Sequence, residues 1–409
     1  MIANLMQPRS TVFGERSDMS IGTDRTHLGP RYIGAARRRR PQWPPAACSI
    51  RSPSVAGGKV LFATDDFFAV CENMLSDSEP IFIPEKYTEY GKWMDGWETR
   101  RKRTPGHDWC ILKLATKCVI RGVQVDTAFF TGNYAPKYSV QAACLSPQEE
   151  ALLPKRQSRQ GTTCDARDLQ QIELLVSERW EELIPKTPLR PGYEHSRHNY
   201  QKVVSDEAWT HIRVNMYPDG GIARLRVFGE ARPAPPLSDE LVDLASMLSG
   251  GVCQGFSNAH YGHPRNTIKP GRGVNMGDGW ETARRLDRPE VLRANADGTL
   301  SVPGEEWAVY KLGYVGEVVK VCVDTRHFKG NFPDSIRVEG ARLETKDWAE
   351  NQKAVWFPLV NTSKLTANSE HWFECQPRVA SHVRVTMAPD GGISRVRVMG
   401  YVTSEISTS

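Results

Sequence analysis

Val125 to Gln141 reads VDTAFFTGNYAPKYSVQ, and Val323 to Glu339 reads VDTRHFKGNFPDSIRVE. Asp, Thr, Phe, Gly and Asn keep their register while most of their neighbours drift. Three further landmarks recur in the same order. DGWETRR (Asp95 to Arg101) returns as DGWETARR (Asp278 to Arg285), HDWCILKL (His107 to Leu114) as EEWAVYKL (Glu305 to Leu312), and MYPDGGIARLRVFG (Met216 to Gly229) as MAPDGGISRVRVMG (Met387 to Gly400). The last pair is identical at ten of fourteen positions, so the chain holds two copies of one domain rather than a many-unit solenoid. A length of 409 residues agrees, because one hydrophobic core seldom serves more than about 250–300 residues.

The spacings separate scaffold from insertion. Trp109 precedes Asp126 by 17 residues and Trp307 precedes Asp324 by 17, which marks a segment held rigidly. Asp126 and Asp219 are 93 apart against 66 for Asp324 and Asp390, so the first copy carries an extra segment around 145 to 200. Asp95 to Asp126 is 31 against 46 for Asp278 to Asp324, which puts an insertion of the second copy near 286 to 304. Insertions of this kind belong to loops.

Within the copies the hydrophobic period is two. Ile212, Val214 and Met216 alternate with polar residues, as do Ala223, Leu225 and Val227, and the Pro-Asp-Gly-Gly stretch between them predicts a tight turn. The expected class is all-β: two tandem antiparallel sandwiches with a few peripheral helices. One helix is expected over 165 to 180, capped by Asp165, and another from Ser238 to Gly250 after the Pro-rich ARPAPP. The division is a leader over 1–55, a first repeat over 56–232, a linker and helix over 233–248, and a second repeat over 249–402.

Charge matters here for its location. Residues 1 to 54 hold nine Arg, no Lys and three acids, which is +6 of a total of +5, so the remaining body is −1. A nucleic-acid binder carries its basic face on the folded body, so that class is excluded. The Arg-rich leader, with its RRRR run at 37–40, reads as disordered and dispensable for folding, with a targeting segment as the alternative. No apolar run reaches the roughly 18 residues of a membrane helix, so no membrane partner is expected. Nine Cys without a CxxC pair predict reduced thiols in a cytoplasmic setting, with a peroxisome or another organelle as the alternative.

The polar clusters are the candidate site. Asp126 and Asp324 interrupt apolar strands, where an Asp must find a partner; a local turn or an arginine pair is one reading, a functional carboxylate the other. Gly132-Asn133 and Gly330-Asn331 suit turns, and the two Asn side chains can present amides to a ligand. Glu98, Arg100 and Arg101, with Glu281, Arg284 and Arg285 in the second copy, offer acid, base and carboxylate-binding groups, or surface ion pairs. His107 has no histidine counterpart in the second copy. His260 and His263 are three apart and are the candidates for a divalent metal, without a third ligand identified. No dinucleotide, P-loop or nucleophile-elbow motif occurs.

The stretches KVLFATDDFFAVCENML, GKWMDGWETRRKRTPGHDWCILKL, VDTAFFTGNYAP, HIRVNMYPDGGIARLRVFG and GGVCQGFSNAHYGHPRNTI together resemble the allantoicase family. The resemblance spans about residues 56 to 402 and departs from the family pattern at Val70 and Cys71. It implies two jelly-roll, galactose-binding-like domains and a hydrolase that splits allantoate into ureidoglycolate and urea in purine catabolism. The implied partner is a small molecule, and homo-oligomer formation stays open. In such a reaction Arg100 or Arg101 would hold the carboxylate, Glu98 or His107 would protonate the leaving urea nitrogen, and Asp126 would activate water. Asn133, Glu281, Arg284, Arg285, Asp324 and Asn331 complete the expected substrate contacts. No cofactor is implied with certainty. A noncatalytic ligand-binding sandwich pair is the alternative; it needs the arginines but not the positioned acid and base.

Overall fold

The structure is a computed structural model that describes residues 58–344, 348–350 and 354–403; the leader lies outside them. Seven strands build the first repeat: β1 (Lys59–Ala63), β2 (Asp108–Asp126), β3 (Lys137–Ala143), β4 (Glu181–Pro188), β5 (His198–Lys202), β6 (Ala208–Tyr217) and β7 (Arg224–Ala231). β2 belongs to both layers of the sandwich. Its N-terminal part pairs with β1 and β6, its C-terminal part with β5 and β7, and the register breaks between Lys113 and Cys118. β6 also pairs with β3, and β3 with β4, so every ladder is antiparallel. Leu112, Val140 and Val214 from one layer meet Val123, Val125 and Val227 from the other in one core. The period-two pattern therefore delivers its apolar set to a common interior.

The second repeat rebuilds this with β8 (Val252–Phe256), β9 (Glu306–Asp324), β10 (Ser335–Ala341), β11 (Phe357–Lys364), β12 (Glu370–Ala388) and β13 (Arg395–Val402). β9 plays the part of β2 and again breaks register, between Lys311 and Gly316. Gly316 has to be glycine, because a Cβ there would lie 2.6 Å from the carbonyl of Tyr401. β12 is one continuous strand of 19 residues where the first repeat uses β5 and β6. A separate core, built around Val321, Val323, Val338, Val385 and Val396, fills this sandwich.

The turns joining β6 to β7 and β12 to β13 hold Gly220 and Gly391 at φ of 130° and 138°, a region L side chains avoid. Each turn leads into a two-residue ribbon, Gly221–Ile222 against Trp97–Glu98 and Gly392–Ile393 against Trp280–Glu281. Both tryptophans are fully buried and donate their indole N–H to a carbonyl, that of Asp65 or Asn258.

Three expectations need correction. The first helix forms, as α2 (Ala166–Glu173) after the short α1 (Pro147–Glu150), with the Asp165 carboxylate accepting from the backbone N–H of Arg167 and Asp168. It stops well before Trp180, because Val176 takes a left-handed conformation. Ser238 to Gly250 is not a helix. Val242–Asp243 pairs with Gly400 and Met399 at the edge of β13, and a 3-10 turn covers Met247–Ser249. The buried Asp243 carboxylate, which accepts from Val398 and Ala245 N–H, decides this: tertiary bonds outweigh a helical spacing. The extra segment of the first copy is also narrower than the expected 145 to 200, since β4 and β5 match β11 and the start of β12. The addition proper is roughly 147–180, and it is more than loop: Ile172 packs on Phe62 and Ile111. Among the described residues Cys71, Cys110, Cys144, Cys164, Cys253, Cys322 and Cys375 are free thiols.

Candidate active site

The two ribbons bring the repeated motifs together. At the end of the first sandwich the Asn133 amide donates to Glu98 Oε1 at 2.6 Å, and at the end of the second Asn331 donates to Glu281 Oε1 at 2.6 Å. The asparagine loop is pinned from the other side as well, because Gly221 N–H donates to the Asn133 carbonyl and Gly392 N–H to that of Asn331. The asparagine amides thus orient the glutamates. Burial raises the Glu98 carboxyl to about 7, against a smaller opposing pull from Asn133. Glu98 Oε2 accepts no hydrogen bond among the described residues, which leaves one oxygen for proton exchange.

The arginines sort by their partners. The Arg100 Nε donates to Asp65 at 2.8 Å and its guanidinium lies over the Phe67 ring. Ala283 N–H and Arg100 N–H bond equivalent side chains, those of Asn258 and Asp65, so Arg100 has no counterpart in the second copy. Lys102 and Arg285 are equivalent: each donates its backbone N–H to the turn aspartate, Asp219 or Asp390, and its side chain to Asp108 or Glu306. Arg285 also binds Asp287. Arg101 and Arg284 therefore match each other, and both are exposed with no hydrogen bond or ion pair among the described residues.

The other candidates lie elsewhere. His107 bonds Asn215 through Nε2 at 3.0 Å and packs on Tyr217, and burial lowers its pKa. Asn215 is held by Ser139, Gln141 and Arg213 on the outer face of β3 and β6. Asp126 accepts from Ala128 N–H and pairs with Arg197 at 3.0 Å, with His198 at 3.6 Å. Its arginine partner is thus present, although burial outweighs it and raises the carboxyl. No hydrogen bond or ion pair among the described residues joins His107 or Asp126 to Glu98. Asp324 accepts from Arg326 N–H at 2.7 Å and lies in a separate cavity.

His260 and His263 flank Glu281, on the strip where the first copy has Phe67 and Val70: Glu281 N–H donates to the Gly262 carbonyl as Glu98 N–H does to that of Ala69. His263 Nδ1 accepts from Arg265 N–H, and burial takes its pKa down to about 4. Among the described residues no group of three His, Cys, Asp or Glu is placed to hold a metal, so the donor set for a resident ion is incomplete.

Sequence reading missed what covers the first station. Arg156, from the added segment, binds both the buried Asp66 carboxylate and Glu72. Beyond it Gln160 donates to the Phe68 carbonyl and Gly161 N–H to that of Phe67. Arg156 has no partner in the repeat, so nothing in the sequence marks it. Among the described residues no such segment lies over the second station, where Tyr261 is 72% exposed.

The allantoicase repeat family model matches residues 52–232 and again 242–403. A probable allantoicase 1 of Burkholderia mallei is 41% identical over 351 residues, covering 84% of this chain and 91% of the relative. A probable allantoicase of Acinetobacter baumannii (strain SDF) is 39% identical over 351 residues, covering 85% and 91%. The crystal structure of allantoicase from Saccharomyces cerevisiae superposes with a TM-score of 0.60 at 35% identity, over 86% of this chain and 92% of that one. Two matched repeats, long relatives and a shared structure agree with the paired stations: the chain belongs to the allantoicase family.

Proposed function

We propose that this chain hydrolyses allantoate to ureidoglycolate and urea, and that the first repeat's Glu98 station carries the chemistry. The supporting observation is the buried Glu98 carboxyl, held near neutrality with one oxygen fixed by Asn133 and the other unoccupied. Allantoate bears a carboxylate and two ureido groups on one carbon. One ureido nitrogen pushes its lone pair toward that carbon while the other leaves as urea. The leaving nitrogen needs a proton, which Glu98 Oε2 supplies; an acid whose pKa lies near the working pH does this best. Water then adds to the imine-like carbon, and the ionised Glu98 takes up its proton, which restores the starting state.

Arg101 binds the substrate carboxylate in this reading. It lies three residues from Glu98 and is exposed without an ion-pair partner among the described residues, whereas Arg100 is engaged by Asp65. Glu281, Asn331 and Arg284 form the equivalent set in the second repeat, and the small molecule is the partner that this chemistry requires. His107 is engaged by Asn215 and Asp126 by Arg197, and among the described residues no hydrogen bond or ion pair joins either to Glu98. Urea release from allantoate by the purified chain, compared with Glu98→Gln, tests the proposal. Release by wild type and a loss of about a hundredfold or more in the variant supports it; equal rates remove Glu98 from the chemistry, and no release by wild type removes the activity.

A further inference from the structure

The two repeats treat one buried aspartate differently. Asp126 and Asp324 end equivalent strands, and each accepts a hydrogen bond from the N–H two residues on, at 2.9 and 2.7 Å. In the first copy Arg197 fills the space beside the carboxylate. Its carbonyl accepts from the backbone N–H and hydroxyl of Thr127; in the second copy the carbonyl of Ser369 accepts the same pair from Thr325. Ser369 thus stands where Arg197 stands, and the guanidinium is missing.

A cavity of about 440 Å³ lies there, lined in part by Asp324, Glu370, Trp372, Cys322 and Arg397. Three carboxylates line it together with three arginines, of which Arg395 is held by the Asp278 carboxylate. Glu370 is paired with Arg272 at 3.1 Å, and Asp243 has Arg397 at 3.6 Å. Asp324, only 3% exposed, has no cation within ion-pair distance among the described residues. Trp372, across the strand pair and half-exposed, lines the cavity with its indole, over which the Lys320 ammonium lies 5.2 Å from the ring centroid. A carboxylate at the back and an indole at the side are the two groups that a planar guanidinium recognises, by forked hydrogen bonds and by stacking.

We propose that this cavity of the second repeat is a binding site for a small guanidinium-bearing cation, with Asp324 as its counter-charge and Trp372 as its stacking surface. The site is separate from the Glu98 station and does not depend on the activity assigned there. The ligand supplies in trans the group that Arg197 supplies in the first repeat.

Titration calorimetry of the full chain with methylguanidinium chloride tests this. Tetramethylammonium serves as a cation without the N–H fork, and urea as a fork without the charge. Saturable binding of methylguanidinium, at least tenfold tighter than either control, is expected. Ser369→Arg, which places a guanidinium in the cavity as the first repeat does, should weaken that binding more than tenfold, and so should Asp324→Asn. Should Asp324→Asn fail to fold, Ser369→Arg decides alone. Absence of saturable binding, equal binding of either control, or unchanged binding by Ser369→Arg overturns the proposal.

Discussion

Glu98 is a carboxylic acid at a pH where most carboxyls are carboxylates, and that difference makes its effects measurable. Its pKa is about 7 in the folded chain against 4.5 ordinarily. Between those values the native state keeps a proton that the unfolded chain has released. The stability that Glu98 contributes is therefore fully present below about pH 4.5 and is lost as pH rises through 7, about 3 kcal/mol in all. Glu98→Gln, which cannot ionise, should flatten this slope in urea denaturation at pH 5 and pH 8, while urea release drops about 10²- to 10⁴-fold. Wild-type turnover should fall above pH 7 as the acid form is lost; a rate that climbs through pH 8 would oppose that role. The arginines give a second residue-level test. Arg101→Lys should raise the KM for allantoate about tenfold, because an ammonium loses the forked geometry, whereas Arg285→Lys should leave KM unchanged, its ion pairs to Asp287 and Glu306 being structural. The sequence named both arginines but could not rank them. Ranking required knowing that Lys102, and not Arg101, matches Arg285 and that both are engaged, as their bonds to Asp219 and Asp390 show.

Elements carry the part of the fold that the sequence makes plain. Alternation and the repeated Pro-Asp-Gly-Gly turn place β6, β7 and their counterparts, because a strand with one buried face declares its period. Ser238 to Gly250 shows the limit: its helical spacing is real, yet Asp243 finds two backbone donors only when the segment lies along β13. No local signal reports a partner 155 residues away. The same holds for the added segment of the first repeat, whose covering role rests on Arg156. Removing that guanidinium leaves the buried Asp66 and the part-buried Glu72 without their cation, so Arg156→Ala should destabilise the chain by about 3 kcal/mol or more. Because the segment also bonds the Phe67 and Phe68 backbone, proteolysis within 155–163 should become faster in the variant. Unchanged stability together with unchanged proteolysis would show that the cover stands without its arginine.

At the scale of the whole molecule, the repeats share a scaffold and differ in how they complete it. Each has its own core, its own Glu–Asn pair and its own unpartnered arginine. Among the described residues the covering segment belongs to the first copy alone, and the second lacks the guanidinium beside its aspartate. The duplication and the extra segment of the first copy were legible from the motifs and their spacing, but what the divergences do was not, since that depends on which residue reaches into a space and not on which residues recur. Arg197→Ala joins the two halves in one experiment. It should cost about 1.5–3 kcal/mol, the range for a charged hydrogen-bonded partner, because Asp126 then lies buried with only the Ala128 N–H and a weak contact to His198. It also carves into the first repeat the kind of vacancy that the second has beside Asp324. Methylguanidinium at millimolar concentration should then restore part of the lost melting temperature, while tetramethylammonium should not. Recovery limited to the guanidinium would show that the aspartate position recognises that group whether it arrives on the chain or from solution. A variant as unstable with methylguanidinium as without it would mean that the first repeat needs the whole Arg197 side chain, stem included, and the likeness between the two aspartates would end at the backbone.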